Sequence, residues 1–201
     1  MRVTYWEQSG FSIETDETVV LIDYIGGGFE KDRRPVLALV SHGHYDHRAP
    51  EEILFADHVI DCPEAGQEFE VMGAKIRTYG STDEGVSFMI DFGGKRIFHA
   101  GDFNLWHWRD DGDIAWTKQA TDDFFTVLES LTCEKIDLAM FPVDPRMGEG
   151  YDEGACIFNE RMKPGMLIPM HWWKQPEAAR GFAEKYDNVR ALTESGQYVE
   201  I

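Results

Sequence analysis

Ser41-His42-Gly43-His44-Tyr45-Asp46-His47 places three histidines and one aspartate within six residues. The stretch directly follows Val36-Leu37-Ala38-Leu39-Val40, a continuous apolar run of the kind that forms a strand buried on both faces. Imidazole and carboxylate are ligands that suit zinc and its neighbours, and a loop held by a rigid sheet can aim several of them at one spot. A polar loop with incidental histidines is the plainer alternative. The density of ligand-type side chains outweighs it, so the loop reads as a metal site.

Working outward, short β-like runs precede the loop at residues 3–6, 10–14 and 18–23, rich in Val, Ile, Phe and Tyr. Gly26-Gly27-Gly28 lacks the rest of a phosphate-cradling fingerprint and reads as a flexible connection. Beyond the loop, Pro50-Glu51-Glu52 opens a short helix, with proline in the first turn and acids near the positive end of the dipole. Strands follow at 58–61, 74–79, 86–92 and 96–99, the last two joined by a Gly93-Gly94 hairpin turn. Over 114–131 the period changes, and Phe124, Val127, Leu128 and Leu131 share one helical face. Strands at 136–143 and 166–170, a helix at 152–162, a helix from Pro176 and two short closing strands complete the pattern. Strands interleaved with helices indicate an α/β fold, and without repeats or linkers residues 1–201 read as a single domain.

Bulk properties narrow the function. Of 201 residues, 43% are hydrophobic, enough for a substantial core. Nineteen Lys and Arg against 37 Asp and Glu give a formal charge of −18, which repels a polyanion and argues against a nucleic-acid partner. Lys31-Asp32-Arg33-Arg34 is the densest basic run, and an acid interrupts it. The N-terminus has no apolar segment of signal-peptide type, and no apolar run is long enough to span a bilayer, so no membrane partner is expected. Cys62, Cys133 and Cys156 form no C-x-x-C pair; they read as reduced thiols of a cytoplasmic protein and as small core residues.

His42-x-His44-x-Asp46-His47 resembles the signature of the metallo-β-lactamase-fold hydrolases, and later landmarks recur in the family's order. Phe98-His99-Ala100-Gly101-Asp102 is similar to the strand ending in a bridging aspartate, and Leu167-Ile168-Pro169-Met170-His171 to the strand presenting the last histidine. The resemblance implies a four-layer αββα sandwich with the site at one edge of two sheets. Chain length and Gly10-Phe11-Ser12-Ile13 are similar to the branch containing L-ascorbate-6-phosphate lactonase and related small hydrolases. Carried over by position, His42 and His44 would bind a first metal, Asp46, His47 and His171 a second, and Asp102 both. One departure stands out. Gly80, in Tyr79-Gly80-Ser81-Thr82-Asp83-Glu84-Gly85, falls where the family places a third histidine for the first metal. His107, five residues after Asp102, is a candidate substitute ligand, with Asp83 behind it; packing between Trp106 and Trp108 is the structural alternative for His107. His58 and His99 are read outside the ligand set.

The implied chemistry is hydrolysis. A divalent ion, zinc by default with manganese or iron as alternatives, makes water acidic enough to supply hydroxide for attack on a carbonyl or phosphorus. Asp46, as catalytic residue, would orient that nucleophile. The expected substrate is a small lactone, ester, amide or phosphoester. Trp106 and Trp172 would wall its cleft, and Arg146 would grip an anionic group as a bidentate fork, unless Arg146 is spent on Asp144. A degenerate site binding one metal with little or no catalysis is the alternative that Gly80 raises. A flavodiiron-type redox role fits poorly, because those proteins carry glutamate where His44 stands and add a flavodoxin domain. The basic elements of a processing nuclease are missing. The oligomeric state is not legible in the sequence.

Overall fold

A computed structural model describes residues 1–111, 114–131 and 135–201. Among these, twelve strands build two six-stranded sheets. The first contains β1 (Arg2–Tyr5), β2 (Phe11–Glu14), β3 (Val19–Ile22), β4 (Val36–Val40), β5 (His58–Asp61) and the closing β12 (Tyr198–Glu200), in the order β12-β1-β2-β3-β4-β5. The second contains β6 (Glu68–Val71), β7 (Ala74–Gly80), β8 (Val86–Phe92), β9 (Lys95–His99), β10 (Leu138–Pro142) and β11 (Met166–Met170), in the order β11-β10-β9-β8-β7-β6. Helices α1 (Ile114–Ser130), α2 (Glu153–Met162) and α3 (Pro176–Ala183) pack on β7, β10 and β11 respectively.

The continuous apolar runs explain the layering. β4 and β10 are buried at every residue, as strands must be when both faces are covered. Val3, Ile13, Leu37 and Leu39 of the first sheet join Phe88, Ile90 and Ile97 of the second in one apolar cluster. On the far side of the second sheet, Phe158 of α2 stacks at 4.5 Å on Phe141 and 5.1 Å on Phe98, while Phe124 of α1 stacks at 5.1 Å on Phe103. The fourth layer is thin. Leu21, Val36, Ala38 and Val40 on the outer face of the first sheet are covered by Tyr24, Phe29, Ile53 and Phe55, from a loop and one 3-10 turn, Pro50–Ile53.

Several sequence expectations change in detail. β6 was not expected: its burial alternates along Glu68, Phe69, Glu70 and Val71, but its acids and edge position weaken the apolar signal. Of two closing strands, only β12 forms, and the 189 region reduces to a single bridge between Leu167 and Val189. Cys62 is exposed rather than core and Cys156 is half-buried; Cys133 lies outside the described residues.

The topology matters for function through strand direction. β3, β4 and β5 run parallel, as do β9, β10 and β11, so their carboxyl ends collect at edges of the two sheets. The two edges meet where Val86 N–H donates to the Ser41 carbonyl at 3.3 Å. Gly85 makes that approach possible. It has φ +73°, and a Cβ there would lie 2.3 Å from the Ser41 carbonyl oxygen and 2.4 Å from His42 Cβ. Gly85→Ala is therefore expected to cost about 2–3 kcal/mol, from left-handed strain plus overpacking, as read by denaturant titration.

Candidate metal centre and pocket

Successive strands deliver the site. Asp23 follows β3, Ser41 and His42 follow β4, Asp102 lies just past β9, Asp144 just past β10, and His171 follows β11. Ligand sites in α/β sheets gather outside the carboxyl ends of parallel strands, where loops can converge on a point without interrupting the ladder.

Two groups of potential metal ligands form there. His42, His44 and Asp102 offer ligand atoms within 4.8 Å of one another, and Asp46, His47 and His171 do the same. Asp102 sits between them. Its Oδ1 lies 3.0 Å from His47 Nε2 and 3.5 Å from His171 Nε2, and its Oδ2 lies 3.3 Å from His42 Nε2 and 3.9 Å from His44 Nδ1. Asp46 Oδ2 is 3.3 Å from His171 Nε2. His47 Nε2, His171 Nε2 and Asp102 Oδ1 are buried without a hydrogen-bond partner among the described residues. Buried polar atoms are otherwise costly to leave unpaired. Nitrogen and carboxylate donors converging in this way fit a borderline divalent cation.

Behind the donors stands a layer of acids. Fully buried Asp23 accepts from Ser41 N–H and Ser41 Oγ–H, both at 2.7 Å, and holds His47 Nδ1 at 2.7 Å. Ser41 Oγ also lies 2.9 Å from His42 Nδ1. Asp144 Oδ2 lies 3.2 Å from His171 Nδ1, and Glu84 Oε2 lies 3.4 Å from His44 Nε2. Such contacts fix which ring nitrogen faces the centre and raise its basicity. The electrostatics follow. Burial disfavours the His47 cation, but Asp23 and Asp102 override it and push His47 up to about 10. Burial likewise opposes charge on His171, yet Asp144 and Asp46 push it up to about 9. Burial works against the Asp102 anion, while His42 and His47 hold it well below the usual carboxylate range. In the absence of a metal, the histidines and carboxylates of the cluster thus stabilise one another's charged forms. His99, outside the ligand groups, is fully buried; its Nε2–H donates to the Ser9 carbonyl at 2.8 Å, and burial lowers its pKa.

Other residues named from sequence are sorted by the structure. Gly80 ends β7, opposite Val86, and contributes no donor. His107 does not reach either ligand group: its Nε2–H donates to the Gly150 carbonyl at 3.1 Å, and its Nδ1 accepts from Arg109 N–H at 3.3 Å. Both ring nitrogens are spent on backbone. Trp172 does not wall the pocket; it is buried against Tyr5, at a centroid distance of 5.7 Å, and Trp173 takes the wall position. Trp106 and Arg146 do line the cavity of ≈ 400 Å³ over the ligand groups, as do Tyr45, Trp108, Trp116 and Asp83. Arg146 also pairs with Asp144 through its Nε and Nη2. Sequence reading missed Asp23 and Glu84 altogether. For Asp23 a signal existed: a lone acid closing the apolar run Val19-Val20-Leu21-Ile22.

Two stacked sheets with histidines and aspartates gathered at one edge are what the metallo-β-lactamase fold provides, and the chain's relatives are metal-dependent hydrolases. The β-lactamase superfamily domain matches residues 2–171, and the chain belongs to that family. A UPF0173 metal-dependent hydrolase from Symbiobacterium thermophilum is 27% identical over 221 residues, covering 92% of this chain and 91% of the relative. Among solved structures, Igni18, a metallo hydrolase from Ignicoccus hospitalis, superposes with a TM-score of 0.65 at 19% identity, covering 98% of this chain and 97% of that one. CmlA, a diiron β-hydroxylase from Streptomyces venezuelae, gives 0.59 at 10% identity, covering 100% of this chain and 54% of that one. No helix among the described residues is long and apolar enough to cross a membrane.

Proposed function

We propose that this family member hydrolyses a small-molecule ester, lactone, amide or phosphoester, with zinc as its working metal. The observation that carries the reading is the convergence beneath an open cavity of buried His47 Nε2, His171 Nε2 and Asp102 Oδ1, none hydrogen-bonded among the described residues. Asp46, His47, His171 and Asp102 would hold one ion; His42, His44 and Asp102 would hold a second. A bound dication supplies the charge that makes water acidic near neutral pH and polarises the substrate oxygen that gains charge. Asp46 lines the cavity, and its carboxylate is held ionised by His171 and His47 against the cost of burial. There it would accept a hydrogen bond from the attacking water and orient it. Trp106 and Trp108, with ring planes 11° apart, form a wall that keeps bulk water from one side of the cavity. Free thiols at Cys62 and Cys156 favour a reducing, cytoplasmic setting.

Gly80 favours a second reading of stoichiometry. The first group has three protein donors, whereas the second has three plus Asp102, so one ion should be held firmly and the other loosely. Zinc-loaded protein dialysed against buffer is expected to keep about one equivalent, and chelation should abolish turnover of an ester, lactone and phosphoester panel, restored on adding zinc. Full activity after exhaustive chelation would sink the hydrolase assignment. Two firmly held equivalents would sink the uneven one.

A further inference from the structure

We infer that the cavity is built for a small, flat aromatic substrate carrying an oxyanion, and that Arg146 reads the anion. The inference rests on the hydrolase reading only in taking the cavity over the ligand groups as the substrate site.

The walls set the shape. Trp106, Trp108 and Trp116 lie on one chain segment, while Tyr45 and Trp173 meet at a centroid distance of 6.5 Å. The indole N–H of Trp106 donates to the Asp102 carbonyl at 2.8 Å, and that of Trp116 to the Trp106 carbonyl at 3.2 Å. Both rings are thereby pinned to the backbone beside the ligand groups and offer the cavity carbon surface rather than donors. A cavity of ≈ 400 Å³ with aromatic walls has room for a substituted aromatic ring and favours one by its walls.

The backbone points the same way. Among the described residues, Trp108, His171 and Trp173 carry φ of 42°, 58° and 45° without being glycine. Such conformations cost bulky residues free energy and gather where a site over-determines them. Here they turn Trp172 into the core and hold Trp173 on the cavity wall.

Arg146 supplies the polar anchor. Its guanidinium lies 4.1 Å over the Trp173 ring, and its Nε and Nη2 are taken by Asp144. Nη1 has no partner among the described residues, and the side chain is 42% exposed. A guanidinium locked from below and from one face presents its remaining N–H pair at little entropic cost, which favours a carboxylate or phosphate oxygen. Asp83 is the wall carboxylate outside both ligand groups, and it disfavours an anion beside itself. Arg146 is the wall residue that attracts the anion.

The test is equilibrium binding to zinc-loaded protein, read by tryptophan fluorescence and calorimetry, with zinc content measured on the same samples. The probes are benzoate, phenylphosphonate, benzamide and cyclohexanecarboxylate. Benzoate or phenylphosphonate should bind more tightly than benzamide and cyclohexanecarboxylate, and the ratio of the first two shows whether carboxylate or phosphate is preferred. Arg146→Gln should weaken the better aromatic anion about tenfold, the size of one charge-assisted hydrogen bond, and leave benzamide unchanged. Equal effects on anion and amide, or no effect on either, overturn the assignment of Arg146. If Arg146→Gln loses zinc, Trp173→Leu decides: loss of the preference for benzoate over cyclohexanecarboxylate supports the inference, and its retention overturns it. Binding of benzoate without turnover of any aryl ester would keep the ligand class and remove the hydrolase reading. Turnover of aliphatic esters with no aromatic preference would do the reverse.

Discussion

Asp102→Ala is expected to bind less than one equivalent of zinc and to lose roughly three orders of magnitude in kcat/KM, the equivalent of several kcal/mol of transition-state charge stabilisation. The reason is geometric. Asp102 Oδ1 faces His47 and His171, and Oδ2 faces His42 and His44, so one carboxylate would serve both candidate ligand groups. Its removal leaves four imidazoles facing one another, with Asp46 the one carboxylate left within the two groups. Asp102→Asn keeps the shape but offers a single acceptor oxygen, and should retain metal on one side only. Elemental analysis of dialysed protein gives the stoichiometry, and circular dichroism shows whether the fold survives. Two equivalents of zinc with activity within tenfold of the parent would remove Asp102 from the centre.

Asp23→Ala should have the largest effect on stability. Three short bonds, from Ser41 N–H, Ser41 Oγ–H and His47 Nδ1–H, end on this fully buried carboxylate. Deleting it removes the acceptor of all three and leaves Ser41 N–H and His47 Nδ1–H stranded in the core, at a cost of about 3–5 kcal/mol. Asp23 also has φ 45°, a conformation that aspartate tolerates better than alanine. Loss of the anchor on His47 should weaken zinc binding about 10- to 100-fold as well. Denaturant titration and competition with a zinc chelator measure the two effects separately. A change under 1 kcal/mol in the first would mean that the carboxylate does not hold the loop after β4 in place.

How much of this was legible in the sequence depends on the distance over which each feature is decided. β4, β10 and β11 announced themselves because a strand covered on both faces needs an unbroken apolar run, and that requirement is local. The loop from His42 to His47 was equally plain, since four ligand-type side chains crowd one turn of chain. Asp23 and Glu84 were not, because each acts on a histidine 24 and 40 residues away through a fold that brings loops together. His107 shows the opposite error. Closeness to Asp102 in sequence suggested reach, but the chain turns at Trp108, with φ 42°, and the imidazole is consumed by the Gly150 carbonyl and Arg109 N–H. Trp172 and Trp173 could not be told apart from composition. The left-handed residues on either side of Trp172 decide which indole enters the core, and no local propensity favours that conformation for either.

Arrival of the ligands from the ends of separate strands also has a practical consequence for protein engineering. The pegs are set by the two ladders, whereas the span between Asp102 and β10 carries most of the indole surface of the cavity. Grafting a different span there, with Trp106 kept for its bond to the Asp102 carbonyl, would refit the mouth for new compounds while the ladders went on holding the ligands in register.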